Sequence, residues 1–275
     1  MFTLSTKLSI LKAVVTRRSP YYVQFYVTGR CPFRCRMCNI VETNSALREA
    51  SLDDMRAIAS NIRRIGGGIV LLTGGEPFVR QDLPDIVRTF LAEGLDVRLQ
   101  TAGIATDEQL QAVYDAGARD INVSLDSLDE ARQDYINAVP GSWHRAIDCL
   151  ERISAIFGRK SAITSLGCVL SSFNFREIPS ILEFATAIGW HLSLVPVHIA
   201  PAGERLGFRS FDGDFLFSKE ELPELEQVME KLVRMKKAGA LLFDSERYLK
   251  SAFSFLAGNP PTWRHKGVCL SLIHI

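Results

Sequence analysis

The sequence predicts an α/β fold: a partial (βα)6 TIM-like barrel of parallel strands with a C-terminal helical extension. Three observations lead there. Short apolar runs such as Ile69-Val70-Leu71-Leu72-Thr73 alternate with longer stretches of helical period. The apolar runs are continuous, as in parallel strands covered on both faces. The strand–helix rhythm recurs about six times before residue 200, and parallel neighbours need such crossovers. A doubly wound open sheet satisfies the same rhythm and remains the alternative. Both architectures place ligands at the carboxyl ends of their strands.

Residues 1–19 carry Phe2, Leu4, Leu8, Leu11 and Val15 at roughly helical spacing, with Lys7, Lys12, Arg17 and Arg18 between them. A secretory signal would place its charges before the apolar run and end in a small-residue cleavage site, and neither feature is present. The segment reads as an amphipathic helix packed on the outside of the domain; a helix lying on a membrane surface is the alternative. Residues 21–28 are apolar and aromatic and read as a buried strand. Ser51-Leu52-Asp53-Asp54 has the pattern of a capping box and opens a helix to about residue 64. Three glycines, 66–68, turn the chain into the strand 69–73. The pattern then repeats: helix 83–92, strand 96–101, helix 106–116 opened by a second capping box at Thr106, strand 120–125, helices 128–138 and 143–157, strand 162–170, helix 176–188 and strand 191–197. Beyond residue 200 the rhythm changes. Residues 201–217 read as a loop across the barrel mouth, followed by a helix with Leu222, Leu225, Val228, Met229, Leu232 and Val233, and another at 245–256.

The chemistry concentrates in Cys31-Pro32-Phe33-Arg34-Cys35-Arg36-Met37-Cys38, with spacing C-x3-C-x2-C. Thiolate sulfur is soft and selects iron–sulfur clusters, zinc or copper(I). A structural zinc site normally closes with four protein ligands, and the next cysteines in sequence are Cys149 and Cys168. A cube of four irons and four sulfurs held by three cysteines keeps one iron open. The reading of Cys31, Cys35 and Cys38 as ligands of a [4Fe-4S] cluster stands beside that of a non-catalytic zinc- or iron-binding module on the same cysteines.

The C-x3-C-x2-C loop after a strand resembles the cluster motif of the radical S-adenosylmethionine (SAM) enzymes. The resemblance covers roughly residues 21–197. It implies that the open iron chelates the amino and carboxylate groups of SAM and that an electron from the cluster frees a 5′-deoxyadenosyl radical. Many members carry an aromatic residue before the third cysteine; this chain has Met37, an apolar substitute near the adenine. Gly74-Gly75-Glu76-Pro77 follows the second strand and matches the family's GGEP motif, which implies bonding to the methionyl ammonium of SAM. Adjacent glycines allow close backbone approach to a ligand, and an ordinary strand-to-helix turn is the plain alternative. Ser124-Leu125-Asp126-Ser127 resembles the family's SLDS segment, which assigns Ser124 to SAM with Asp126 beside it; Asp126 or Ser127 capping the next helix is the other reading. Gln100 and Thr101 end the third strand at the same rim. Asn174 is either a ribose contact or a helix N-cap. His198 reads as a packing or hydrogen-bonding residue, and Cys149 and Cys168 as buried structural thiols. No catalytic side chain is assigned.

The bounds agree with this. With 275 residues, 47% hydrophobic and 23% charged, the chain is globular. A net charge of +1 gives no case for nucleic-acid binding. Six cysteines in a chain this long do not form a disulfide framework, and thiols kept reduced for a cluster imply the cytoplasm. No apolar run reaches the ~18 residues of a transmembrane segment. The resemblance implies a reductant such as flavodoxin or ferredoxin and a small-molecule or peptide substrate that the sequence does not identify. The expected organisation is an N-terminal amphipathic segment (1–19), a radical SAM core (20–200) and a C-terminal helical extension (201–269). Cys269 stands where related chains open an auxiliary iron–sulfur cluster domain. Residues 270–275 are what CTG TCT CTT ATA CAC ATC encodes, a string matching a transposon end used in sequencing adapters. They are expected to be an assembly artefact.

Overall fold

The computed structural model describes residues 4–16, 20–38, 40–41, 48–158, 162–198 and 213–259. Strands β1 (Tyr22–Thr28), β2 (Ile69–Gly74), β3 (Asp96–Thr101), β4 (Asp120–Ser124), β5 (Ile163–Leu170) and β6 (His191–Pro196) form one sheet in sequential order. Every pairing is parallel. Right-handed crossovers between strands laid down in sequence put the connecting helices on one face of the sheet. A doubly wound sheet needs a reversal of strand order to clothe its second face. No reversal occurs, so the fold is the open, partial TIM-like barrel.

The helices are α1 (Leu4–Thr16), α2 (Leu52–Arg64), α3 (Leu83–Ala92), α4 (Asp107–Asp115), α5 (Glu130–Asn137), α6 (Ser142–Phe157), α7 (Ile178–Ala187), α8 (Leu222–Lys237) and α9 (Glu246–Leu256). Both expected capping boxes form: Ser51 with Asp54 opens α2, and Thr106 with Gln109 opens α4. No described helix is long and apolar enough to cross a membrane.

Side chains alternate across a strand, and the two faces of this sheet differ in chemistry. Val23, Phe25, Val27, Val70, Leu72, Val97, Leu99, Ile121, Val123, Leu166 and Leu192 are buried in the core. The opposite face is apolar in β2, at Ile69 and Leu71, and again at Ile163 and Val169 of β5 and Val195 of β6. Elsewhere it carries Gln24, Arg98, Gln100, Asp120, Asn122, Ser124, Ser165 and His191. The continuous apolar runs are thus a feature of β2, and the barrel interior is polar and cross-bonded. Thr73 donates to Gln100 at 3.1 Å, and Gln100 to Ser124 at 3.2 Å. Deeper, Arg98 donates to Asp120 at 3.0 Å and to Ser165 at 3.1 Å, while Asn122 donates to Ser165 at 2.9 Å. Phe243 closes this end, its ring centroid 5.4 Å from the Arg98 guanidinium.

The described part of the C-terminal extension packs onto the core. Leu225, Met229, Leu232, Leu249, Ala252 and Leu256 join the same apolar cluster, so the apolar face of α8 is covered. Leu192 donates its amide to Leu241 and accepts from that of Phe243, both at 2.8 Å, which adds a short parallel bridge to the β6 edge. Of the mouth loop expected at 201–217, residues 201–212 lie outside the described residues, as do Cys269 and 270–275. Phe215 is buried against Phe173, ring centroids 5.4 Å apart.

Burial outweighs the neighbouring guanidinium at Asp120 and pushes its carboxyl from 3.8 up to about 6. Between these values the fold holds a proton that the unfolded chain has released. The contribution of Asp120 to stability therefore declines across that window as pH rises, and is constant above it. Arg98→Ala leaves the carboxylate buried without its partner and is expected to cost about 3–5 kcal/mol near pH 8. Near pH 5 the carboxyl is neutral in the fold and the loss is expected to be smaller. Urea unfolding of both chains at the two pH values measures this.

Candidate functional site

Cys31, Cys35 and Cys38 follow β1 at its carboxyl end, and all three are partly buried. The strand leaves the sheet through a register slip: Tyr26 pairs with Thr73, but Thr28 pairs with Gly74. Such a slip bends the strand and directs the chain into the cysteine loop. Phe33 is buried beneath that loop. Two loop amides use carbonyls that α5 leaves open at its C-terminus: Arg36 N donates to Ile136 O at 2.8 Å and Arg34 N to Asn137 O at 3.3 Å. The Arg36 guanidinium donates to Tyr135 O at 3.1 Å and stacks on its ring at 4.0 Å, a cation at the negative end of a helix. The Cys35 thiol donates to Asn137 Oδ1 at 3.3 Å. Burial pushes the Cys31 thiol up to about 11 and that of Cys35 higher still. Such thiols lose their protons to a metal, not to water at neutral pH.

The turn after β2 is fastened to this loop. Gly75 N donates to Thr28 O at 2.8 Å and Glu76 N to Arg30 O at 2.9 Å. A Cβ at Gly74, where φ is +129°, would lie 2.3 Å from Thr28 O, and one at Gly75 would lie 2.2 Å from Arg30 O. The glycines thus admit the backbone of the cysteine loop itself. Pro77 and Phe78 are buried in a short 3-10 turn at 77–79. Glu76 is 1% exposed and its carboxylate is engaged. It accepts from Phe78 N at 3.2 Å, Thr101 Oγ1 at 3.1 Å and Ala102 N at 2.7 Å. Burial still pushes it up to about 7. Thr101 is buried in that bond, whereas Gln100 and Ser124 face the barrel interior.

The ends of β4 and β5 form a second closed set. Asp126 is buried and accepts from Val169 N at 2.7 Å; burial pushes it up to about 7. Asn174 is also buried and makes no side-chain cap to the turn it precedes. Its amide donates to Asp126 O at 2.8 Å and Val169 O at 2.9 Å, and its carbonyl accepts from Ser171 N at 3.0 Å. It staples two strand ends together, a role outside both sequence readings. The cap of α5 is Asp129, which accepts from Arg132 N at 2.7 Å, and neither Asp126 nor Ser127. Met37 packs partly buried against the core. His198 meets Phe255 edge-on at 6.3 Å. Cys149 and Cys168 are buried.

The thiol loop, the Gly74–Pro77 turn, Ser124 and Met37 therefore gather at one rim, with Glu76, Thr101, Asp126 and Asn174 engaged in the wall behind it. Sequence reasoning missed four wall residues. Glu49 accepts from Thr28 and, at 2.8 Å, from Arg30. Arg80, 6% exposed, donates to Val27 O at 3.0 Å and Ala50 O at 3.1 Å. Asn137 touches Cys35, and Gln133 accepts from Asp126 N and Ser127 N at 2.9 Å. Apart from Gln133, whose partners lie six and seven residues away, their partners are remote in sequence, so no local pattern marks them. Among the described residues no three His, Cys, Asp or Glu side chains converge to hold a single metal ion. A cube asks for something different, since each thiolate takes its own iron corner. The buried Gln133 Nε2 has no partner among the described residues. It lies one turn before Asn137 on the same face of α5, and a free donor there suits an anionic, sulfur-rich group.

This fold and rim define a class: α/β partial-barrel enzymes with a three-cysteine loop at the mouth. Residues 25–185 match the radical SAM superfamily, and the chain belongs to it. The family uses a [4Fe-4S] cluster and SAM. The chain is 33% identical over 196 residues to a GTP 3′,8-cyclase of Erythrobacter litoralis, covering 66% of this chain and 55% of that protein. It is 28% identical over 165 residues to a PqqA peptide cyclase of Methylobacterium nodulans, covering 59% and 42%. The chain spans about half the length of the relatives it matches. In fold it is similar to Streptococcus suis SuiB bound to its precursor peptide SuiA, with TM-score 0.65, 15% identity and coverage of 91% and 55%.

Two substitutions test this wall. Asn174→Ala leaves buried amides and carbonyls unpaired and is expected to cost at least about 1–3 kcal/mol; a ligand-contact role alone would leave the unfolding midpoint unchanged. Gly75→Val drives a branched side chain into Arg30 O. It is expected to lower the thermal midpoint and the iron bound per chain together, read by calorimetry and iron assay after anaerobic reconstitution.

Proposed function

We propose that Cys31, Cys35 and Cys38 hold a [4Fe-4S] cluster at the barrel mouth and that Gly74, Gly75, Ser124 and Met37 receive SAM beside it. The observation that carries this is the fastening of the backbone that leads into the thiol loop, at Thr28 and Arg30, to the Gly75–Glu76 turn by two hydrogen bonds, at 2.8 and 2.9 Å. When bound, the pair supplies reductive cleavage of SAM to a 5′-deoxyadenosyl radical that abstracts hydrogen from a substrate. The chain's own residues orient and shield. The Gly74 and Gly75 carbonyls would accept from the SAM ammonium, the Ser124 hydroxyl would meet its carboxylate or ribose, and Met37 would pack on the adenine. Glu76 and Pro77, Thr101, Asp126 and Asn174 act from the wall by fixing these loops. Asn137 accepts from the Cys35 thiol through Oδ1 while its Nδ2 donates to Ser142; turning the amide over would let it donate to the Cys35 thiolate, and such bonds tune a cluster's potential.

The reading extends to a reductant such as flavodoxin or ferredoxin, to the cytoplasm, and to a core at 20–200 with 201–269 leading toward an auxiliary cluster domain. The named relatives are a nucleotide cyclase and a peptide cyclase. Their matches cover 66% and 59% of this chain and about half of the relatives' own length, so they support the radical chemistry and leave the substrate as a small molecule or peptide.

Anaerobic reconstitution tests this. Roughly four irons per chain are expected, one cube, with an electron spin resonance signal that changes on adding SAM and 5′-deoxyadenosine formed under a strong reductant. Cys35→Ala is expected to lose the cluster, because two thiolates do not retain a cube with an open iron. Stoichiometric colourless zinc, or a full cube in Cys35→Ala, would overturn the assignment.

A further inference from the structure

Helix α1 is inside out. Among its described side chains the buried ones are small, Thr6 and Ala13, with Ser9 and Ile10 half-buried beside them. Thr6 donates to Gly68 O at 3.2 Å, and Ser9 accepts from Arg63 at 3.1 Å. Four large apolar side chains point away: Leu4 is 74% exposed, Leu8 58%, Leu11 60% and Val15 72%. At about 100° per residue these four fall within one narrow stripe opposite the buried face. Lys7 and Lys12 flank it, one on each side, roughly 70° from its centre. Both are exposed. Arg17 and Arg18 follow in the sequence, and no Asp or Glu precedes Glu42.

We infer that this stripe seats the protein on an anionic lipid bilayer. An interfacial helix needs a narrow apolar face with cations at its margins, whose alkyl stems lie along the lipid while their charges reach the headgroups. The acid-free flank matches a negative surface and opposes a second copy, since a two-fold contact would set Lys7 and Lys12 against themselves. Contacts with Gly68 and Arg63 place α1 at the amino end of β2, whereas the cysteine loop lies at the carboxyl end of β1. The seated barrel turns its mouth to the aqueous side.

Co-sedimentation of the full chain with vesicles tests this. Binding to phosphatidylcholine vesicles containing phosphatidylglycerol is expected, with little binding to phosphatidylcholine alone and release by salt. Leu8→Glu with Leu11→Glu is expected to lower partitioning by about tenfold or more, with circular dichroism and iron content unchanged. Lys7→Glu with Lys12→Glu keeps the stripe, removes the flanking charge and is expected to abolish the preference for anionic vesicles. Equal binding to both vesicle types, undiminished binding by the leucine variant, or a stripe-dependent dimer without vesicle binding would each overturn the inference.

Discussion

The site depends on one close approach. Between Gly75 and Arg30 O there is no room for a side chain, and a Cβ would lie 2.2 Å from that oxygen. With hydrogen in its place, the β2 turn and the cysteine loop share two backbone bonds and move as one piece. Glu49 and Arg80 then brace the same segment from behind. A loop of three thiols has little rigidity of its own. Here that rigidity comes from a neighbouring strand end and from the open carbonyls of α5. Three thiolates in fixed relation are what a cube with one free corner requires.

The wall behind the rim is built from buried polar groups that satisfy one another. Glu76 joins β2 to β3, and Asp126 with Asn174 joins β4 to β5. Each link spans adjacent strands, so the rim is held in sections around the barrel. Buried carboxylates are costly unless bonded. Their presence here makes sense as positional control, because a hydrogen-bonded network fixes geometry more tightly than apolar packing does.

Much of this was legible in the sequence. Strand count followed from the recurring rhythm, which left the order open between a barrel and a doubly wound sheet, and Ser51 and Thr106 marked two helix starts through patterns only four residues long. The thiol loop was visible because its residues are neighbours in the chain. The purpose of Gly75 was not, because the atom it makes room for belongs to residue 30. Asn174 was read as ribose contact or cap, both local ideas, while its partners sit at Asp126 and Val169. The sequence did not disclose structural pairs distant along the chain, nor the barrel interior, where alternation hid a polar face behind apolar neighbours.

The sequential order of the sheet bears on how the molecule is made. Each strand pairs with the next to leave the ribosome, so contacts stay short in sequence for a parallel fold, and short loops close fast. The thiol loop is the exception. Its amides and Cys35 wait for the end of α5, about a hundred positions later. On the proposed ligand assignment, iron delivered before that helix docks would meet three thiols without these partners, so insertion of the cluster would follow synthesis of the fourth βα unit.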